Sequence, residues 1–561
     1  MIIPDLYRPL LTRASARVIC PLCGESVDRL IYKEHRLAED RIVQKIHTMH
    51  PEWKTAEGAC SRCVDLYHVE SIRDSNVSPD VESSITKTVD EYLVLPIPLR
   101  MEADERYTGK GVTICFIDSG FYPHPDLVQP KNRVLKLLDI AYPEHTDSFF
   151  SEPHDESWHG TMTSVVCAGN GSRSGGSYRG IASGANLVLL KVMEHGRITG
   201  ANIAKAIRWA IEHKDEFNIR VINLSVSDDD PLSYRESVVD LAAEDAVRAG
   251  IVVVAAVGND PEQPVQPPAN SPRVIAVGGV DDHNTLGMAN ESIYHSTYGR
   301  TVDNFLKPDL IAPSIWLAAP ILPGSIEHRE STALFKMLNV DDRRLKNVVA
   351  REHASTRLNR ELVFDGSTMK IREGIINRIA EQKYVSPDYM HADGTSFAAP
   401  IVCSIIAQML EANPRLAPAQ VRRILLTTAR RLREVPLERQ GYGVVNAREA
   451  VRSASWEVHT TAESETSQPI IDRFNQRIIF YYHNDDVHKV ALVGSFNHWL
   501  PNRTMFVKNG SGVWKAEIPL LPKGTYYYKL FLNSKEWVED PENLFKVPDG
   551  FNGFNSILTI D

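Results

Sequence analysis

From about Gly111 to Val280 the chain alternates short β-branched apolar runs with amphipathic stretches. The runs are Val112–Ile117, Leu187–Val192, Val221–Val226, Ile251–Val257 and Val274–Val280. Strands that are apolar at nearly every position are buried on both faces, as in a parallel sheet covered by helices. Between them, Ala201–His213 and Ser237–Ala249 carry apolar residues at helical spacing. The alternation predicts an α/β fold: a doubly wound, mainly parallel sheet with helices on both faces.

Towards the C-terminus the pattern changes. His459–Pro469 (HTTAESETSQP) is polar and ends in proline, as linkers do. Beyond it, Val490–Val493, Val513–Ile518 and Tyr526–Leu532 alternate apolar and polar positions between glycine turns, predicting a small antiparallel β domain. Near the N-terminus, Arg36–Met49 is amphipathic and reads as a helix.

Composition narrows the classes. A chain of 561 residues is too long for one core, and two to four domains are expected at roughly 100–200 residues each. With 62 Lys and Arg against 72 Asp and Glu, the net charge is −10, so a chain-wide grip on nucleic acid is not expected; phosphate neutralisation needs clustered cations. The longest apolar stretches, such as Ile251–Val257, are too short to span a bilayer, and no membrane partner is expected. The opening MIIPDLYRPLLTRASAR lacks a basic start followed by an apolar run, which points away from secretion and towards the cytoplasm.

Four of the seven cysteines form two pairs, Cys20 with Cys23 and Cys60 with Cys63. Two thiolate pairs of this spacing suit one tetrahedral, structural Zn²⁺, with each sulfur about 2.3 Å from the ion. The alternatives are two disulfides, disfavoured in a reducing compartment, reduced structural thiols, or a mixed ligand set including His35, His47 or His50. Ribbons of this kind also bind nucleic acid. Here the nearby Arg13, Arg17, Arg29, Lys33 and Arg36 are interleaved with acids. Cys115, Cys167 and Cys403 lie in apolar runs and read as core residues.

Three segments of the α/β part carry candidate chemistry. Ile117-Asp118-Ser119-Gly120 ends a strand on a carboxylate; His159-Gly160-Thr161 opens an apolar helical run; Asp393-Gly394-Thr395-Ser396 places a serine at the entrance to a helix, Ile401–Glu411. Nucleophilic catalysis needs a hydroxyl, a base to take its proton and a carboxylate to orient the base. Parallel strands gather their C-terminal ends along one edge, where the three can meet. A serine at a helix N-terminus also offers its own N–H to an oxyanion.

The order Asp, His, Ser and these motifs resemble the subtilisin-like serine proteases, over roughly Leu95–Val451. A fourth match, Val257-Gly258-Asn259-Asp260, resembles the family's oxyanion-hole segment. The resemblance implies that Asp118 orients, His159 is general base and acid, Ser396 is the nucleophile, and Asn259 with the Ser396 N–H stabilises the oxyanion. It further implies a protein or peptide substrate paired along Asn223, Ser225, Val226 and Ser227, with Val257 and Gly258 across from them. Calcium is common in the family; these residues do not place a site.

Two departures matter. The family usually has Gly where Ser227 stands, which implies a narrowed or tilted pocket for the residue before the cut. About sixty extra residues, at about 325–388, precede the nucleophile loop, with helical periodicity in Val340–Glu361 and Lys370–Gln382. They are expected to form either a lid or substrate-selecting arm, or a surface-packed helical embellishment.

At the far end Val490–Trp499, Gly524–Leu530 and Trp537 resemble the glycogen-binding domain of AMP-activated protein kinase β subunits, over about Ile478–Ile560. That family is a β-sandwich binding α-glucans such as glycogen or starch, whose sugar faces stack on flat aromatic rings. The resemblance implies Trp499 and Trp537 as platforms and Lys529 and Asn555 as hydroxyl partners. Phe551 stands where the family has Leu, and Gly553 where it has Thr. The expected organisation is a zinc-ribbon-like segment (1–85), a subtilisin-like peptidase domain (90–455), a linker (456–472) and a carbohydrate-binding β-sandwich (473–561).

Overall fold

A computed structural model describes residues 18–22, 24, 26–27, 39–54, 57, 59, 63 and 67, and then 94–286, 291–359, 363, 366–456, 469–473, 475–484, 487–508, 513–543, 545–551 and 553–560. The chain divides into two compact units, one holding residues 1–90 with 104–107 and the other residues 91–103 with 108–561.

In the first unit, Val18–Ile19 pairs antiparallel with Ser26–Val27, and Glu39–Met49 is a helix. The turn of the hairpin closes through the Gly24 N–H on the Cys20 carbonyl at 2.9 Å, with Gly24 at φ +73°, where a side chain is strained. Cys20, Ile46, Trp53, Ala59, Cys63 and Tyr67 form a buried cluster. Cys23 and Cys60 lie outside the described residues.

The second unit is built on a parallel sheet. Its strands run, edge to edge, Leu310–Pro313, Ile275–Asp281, Val252–Ala256, Ile219–Leu224, Thr113–Asp118, Asn186–Lys191 and Val134–Asp139, with the short Ser292–Ile293 antiparallel to the second. Every residue of Thr113–Asp118 is buried, which accounts for its unbroken apolar run. The helices Gly200–Glu212 and Val238–Arg248 cover one face and share a core with the central strands. Thr395–Ala412 lies on the strands Ile219–Leu224 to Leu310–Pro313, beside the helices Ser157–Ala168 and Ala447–Trp456. Among the described residues, Thr395–Ala412 is the one helix long and apolar enough to cross a membrane, and it is mostly buried as a core helix. The chain passes from the first strand outwards in both directions, so a crevice opens where Asp118 and Leu224 end adjacent strands.

The insertion is a small layer of its own. Leu317–Pro320, Tyr389–Ala392 and Tyr384–Ser386 form an antiparallel sheet, and the helices Ile326–Leu338, Asp342–Glu352 and Thr368–Glu381 pack with it around Leu334, Met337, Leu345, Ile375 and Tyr384. The Glu330 carboxylate is held by Arg378 (2.8 Å and 3.1 Å) and the Tyr384 hydroxyl (3.2 Å). Tyr389 donates its hydroxyl to the buried Asp126 carboxylate, which also accepts from Ser172 Oγ at 2.8 Å and the Arg173 N–H at 3.1 Å. The strand Tyr389–Ala392 thus runs, anchored, straight into the nucleophile loop.

The C-terminal part forms two antiparallel sheets. One contains Ile470–Asp472, Arg477–His483, Val513–Pro519 and Val507–Lys508; the other contains Val490–Gly494, Gly524–Leu532, Phe554–Ile560, Lys546–Pro548 and Glu536–Val538. Side chains alternate across a strand. Tyr528, Leu530 and Leu532 therefore face the sandwich core with Phe480 and Trp514, while Tyr527, Lys529 and Phe531 face outwards. The same sheet rests on the peptidase part. Phe545 packs on Phe305 at 4.7 Å between ring centres, Phe554 joins Leu306 and Leu437, and Arg431 pairs with Glu539 at 2.6 Å. Lys546 is buried there, donating to the Tyr442 hydroxyl at 2.6 Å.

Candidate active site

Asp118 ends the central strand fully buried, and its Oδ1 accepts from His159 Nδ1 at 2.7 Å and from the Ser119 N–H at 2.7 Å. Its Oδ2 faces the Thr163 hydroxyl at 3.3 Å. His159 lies in the first turn of Ser157–Ala168, and Gly160 explains how that helix comes so near. A Cβ at Gly160 would sit 2.4 Å from the Gly120 carbonyl and 2.9 Å from Asp118 Cβ. Gly160 therefore serves the approach of helix to strand end. Burial opposes a charge on His159, but the Asp118 charge and hydrogen bond outweigh it and hold the imidazole pKa above its ordinary value.

Ser396 is the second residue of Thr395–Ala412, a helix that begins six residues earlier than its periodicity suggests and contains Pro400. Pro400 has no N–H to give to the carbonyl four residues back, which is that of Ser396. Ser225 Oγ takes the vacated place, donating to the Ser396 carbonyl at 2.8 Å, and Ser396 Oγ lies 3.5 Å from the Ser225 carbonyl. Ser225 is held in turn by Asn223 Nδ2 at 3.0 Å, and Asn223 Oδ1 faces the Cys403 thiol at 3.5 Å. Phe397, next to the nucleophile, stands 6.2 Å from His159, ring to ring.

Asn259 follows the strand Val252–Ala256. Its Oδ1 accepts from the Thr395 N–H at 2.8 Å and Thr395 Oγ1 at 3.0 Å, so its amide N–H groups are the ones left to donate. Gly394, at φ +130°, leaves space on that side: a Cβ there would come 3.5 Å from Asn259 Nδ2. Preorganised donors of this kind stabilise an oxyanion at no cost in reorganisation. Val257 is buried and Val226 and Gly258 are half-buried on the two walls of the crevice. Thr163 and Gln266, which touches Ser227, lie outside the motifs, and Thr395, inside one, had no role assigned by sequence; long-range contacts reveal what the three do.

On the outer face of the C-terminal sheet Trp499 and Trp537 stand 6.5 Å apart, inclined at 46°. Trp537 is 43% exposed and Trp499 half-buried, so neither is core. Trp499 sits at φ +59° after His498 at φ +56°. Bulky residues avoid this region, and such strain gathers at functional sites. Lys529 pairs with Asp549, whose other oxygen accepts from the Phe551 and Gly553 N–H groups at 2.7 Å and 2.9 Å. A Cβ at Gly553 would lie 2.6 Å from Asp549 Oδ2, which gives the glycine a structural reason. Asn555 pairs with Val547 in the neighbouring strand, and Phe551 is 91% exposed.

In the N-terminal unit Cys20 and Cys63 bring their sulfurs to 3.9 Å, about twice a disulfide length. Among the described residues, no group of three or more His, Cys, Asp or Glu is placed to hold a metal.

Comparisons with known proteins show the family. The profile of the Subtilase family matches residues 109–337 and 341–443, more than half of the chain. That of carbohydrate-binding module 48 (isoamylase N-terminal domain) matches residues 469–545. Serine protease AprX of Bacillus subtilis (strain 168) is 29% identical over 354 residues, 61% of this chain and 67% of that protein. A thermostable alkaline protease of Halalkalibacterium halodurans is 30% identical over 196 residues, covering 35% of this chain and 47%, or less than half, of that protein. Among solved structures, fervidolysin from Fervidobacterium pennivorans matches with a TM-score of 0.42 at 18% identity, over 76% of this chain and 53% of that one. The chain belongs to the subtilase family of serine endopeptidases and carries a carbohydrate-binding module after its peptidase part.

Proposed function

We propose that this protein is a cytoplasmic endopeptidase that cuts proteins held on, or associated with, an α-glucan such as glycogen or starch. Ser396 attacks the peptide carbonyl while His159 takes its proton and later gives it to the leaving amine. Asp118 keeps the imidazole in the required tautomer. The oxyanion rests on Asn259 Nδ2 and the Ser396 N–H, and water then releases the acyl-enzyme. The hydrogen bond of 2.7 Å between His159 and Asp118 carries the catalytic reading. The pair Trp499 and Trp537 on the outer face of the sheet supports the glucan reading, with Asn555 half-buried on the same face, Lys529 buried against Asp549 and Phe551 standing clear in solvent.

A structural Zn²⁺ on Cys20, Cys23, Cys60 and Cys63 is part of the proposal. Two sulfurs about 2.3 Å from one tetrahedral ion lie roughly 3.8 Å apart. The 3.9 Å between Cys20 and Cys63 fits that requirement.

A fluorophosphonate probe tests the enzyme: it labels the wild-type chain and not Ser396→Ala. Absence of label on both would leave a catalytically silent scaffold. Migration through a gel containing glycogen tests the module: the Ser396→Ala chain is retarded, and Trp537→Ala in that background restores free migration. Unretarded migration of the parent would remove the glucan claim.

A further inference from the structure

Beyond Leu224 the chain continues extended along the crevice, Ser225 lying beside Ser396 and Ser227 two residues on. Across the crevice Val257–Asn259 leave the adjacent strand, in register with it through Leu224 and Ala255. A peptide whose carbonyl carbon meets Ser396 Oγ and whose oxygen meets Asn259 must put the preceding side chain into the gap between these walls. Three hydrogen bonds tie the segment Ser227–Asp229 to Gln266 and Pro267. Ser227 Oγ donates to Gln266 Oε1 at 3.3 Å, Gln266 Nε2 donates to the Asp229 carbonyl at 3.2 Å, and the Asp228 N–H donates to the Pro267 carbonyl at 3.0 Å. Gln266 is half-buried.

We propose that Gln266 and Ser227 form a raised polar floor that restricts the residue before the scissile bond to a short side chain, such as alanine or serine. This rests on the endopeptidase reading above and adds the specificity-determining pair. Two physical effects act together. The Ser227 hydroxymethyl and the Gln266 side chain occupy depth that a leucine or phenylalanine ring needs. A large apolar group forced in would also strip water from an amide and a hydroxyl while disturbing their mutual bond, and unpaired buried polar groups are costly. Short side chains avoid both. Serine gains a hydroxyl that finds polar partners at that depth.

The test uses the full chain and peptide p-nitroanilides that differ only in the last residue: alanine, serine, leucine or phenylalanine. The expected kcat/KM for alanine and serine exceeds that for leucine and phenylalanine by about ten-fold or more, since a misfit of one or a few methylenes is worth roughly 10–200-fold. The double variant Ser227→Gly, Gln266→Gly should reverse the order, with fluorophosphonate labelling confirming that its nucleophile is competent. A wild-type preference for phenylalanine or leucine overturns the floor while leaving the endopeptidase intact. So does a fully labelled double variant that keeps the preference for alanine. If neither labelling nor cleavage of any substrate occurs, the endopeptidase reading falls and the pocket with it. Should the double variant fold poorly and resist labelling, the wild-type profile alone decides.

Discussion

Pro400 and Ser225 make a quantitative prediction possible. The proline leaves the Ser396 carbonyl without its helical partner, and Ser225 Oγ satisfies it at 2.8 Å while accepting from Asn223 at 3.0 Å. Ser225→Ala orphans two groups at once, the Ser396 carbonyl and Asn223 Nδ2, in a place where Asn223 is fully buried. Each buried unsatisfied group costs roughly 1–3 kcal/mol, so a loss of about 2–6 kcal/mol is expected. Pro400→Ala supplies the missing N–H. In the Ser225→Ala background it should return about 1 kcal/mol by restoring one hydrogen bond. In the wild type the new N–H only competes with Ser225 for the same carbonyl. The two substitutions should therefore couple by about 1 kcal/mol. Urea unfolding of the four chains, all carrying Ser396→Ala to prevent self-digestion, measures this. Additivity within about 0.5 kcal/mol would refute the exchange of partners.

Three further outcomes are expected. His159 acts as a base only when neutral, and its pKa is held above the ordinary 6.5, so kcat/KM should fall as pH drops through a midpoint above 6.5; a midpoint at or below that value contradicts the Asp118 argument. Burial pushes the Asp240 carboxyl up to about 7 against about 3.9 when unfolded, so stability should decline as pH rises from about 4 to about 7, by an amount on the order of a few kcal/mol. Asp240→Asn should flatten that decline in a thermal melt followed against pH. Burial and the nearby Arg422 push Lys546 down to about 7 from 10.5, so the released state binds the extra proton and docking of the C-terminal sheet should tighten as pH rises between those values; limited proteolysis across that range, compared with Lys546→Met, reads it.

The central strands and the pairing of Asp118 with His159 were legible because each depends on local sequence. A strand buried on both faces writes an apolar run, and a carboxylate, imidazole or hydroxyl at an element's end sits in a recognisable turn. The strand Val134–Asp139 was not read, since an edge strand exposes part of its length and its lysine breaks the run. The helix Thr395–Ala412 begins before the stretch Ile401–Glu411 read from the sequence and includes Pro400; the proline is tolerated where a serine from elsewhere serves the carbonyl it abandons. Ser227 was suspected as a departure, whereas Gln266, its partner 39 positions away, has no local signature. Tyr389 and Asp126 are separated by 263 positions, so the anchoring of the insertion is a property of the folded chain alone.

Phe554 and Asn555 are neighbours on one strand with opposite duties: Phe554 presses on the peptidase part, and Asn555 faces the outer side with Lys529 and Trp537. One layer of backbone therefore separates the grip on a glucan, as proposed, from the body that does the cutting. A module swinging on a long tether would let its enzyme sample substrates throughout a broad sphere. A module seated in this way gives high effective concentration only to substrates lying at one distance and in one orientation from the polysaccharide. Location on the particle would then select what is cleaved at least as strongly as the peptide's own sequence.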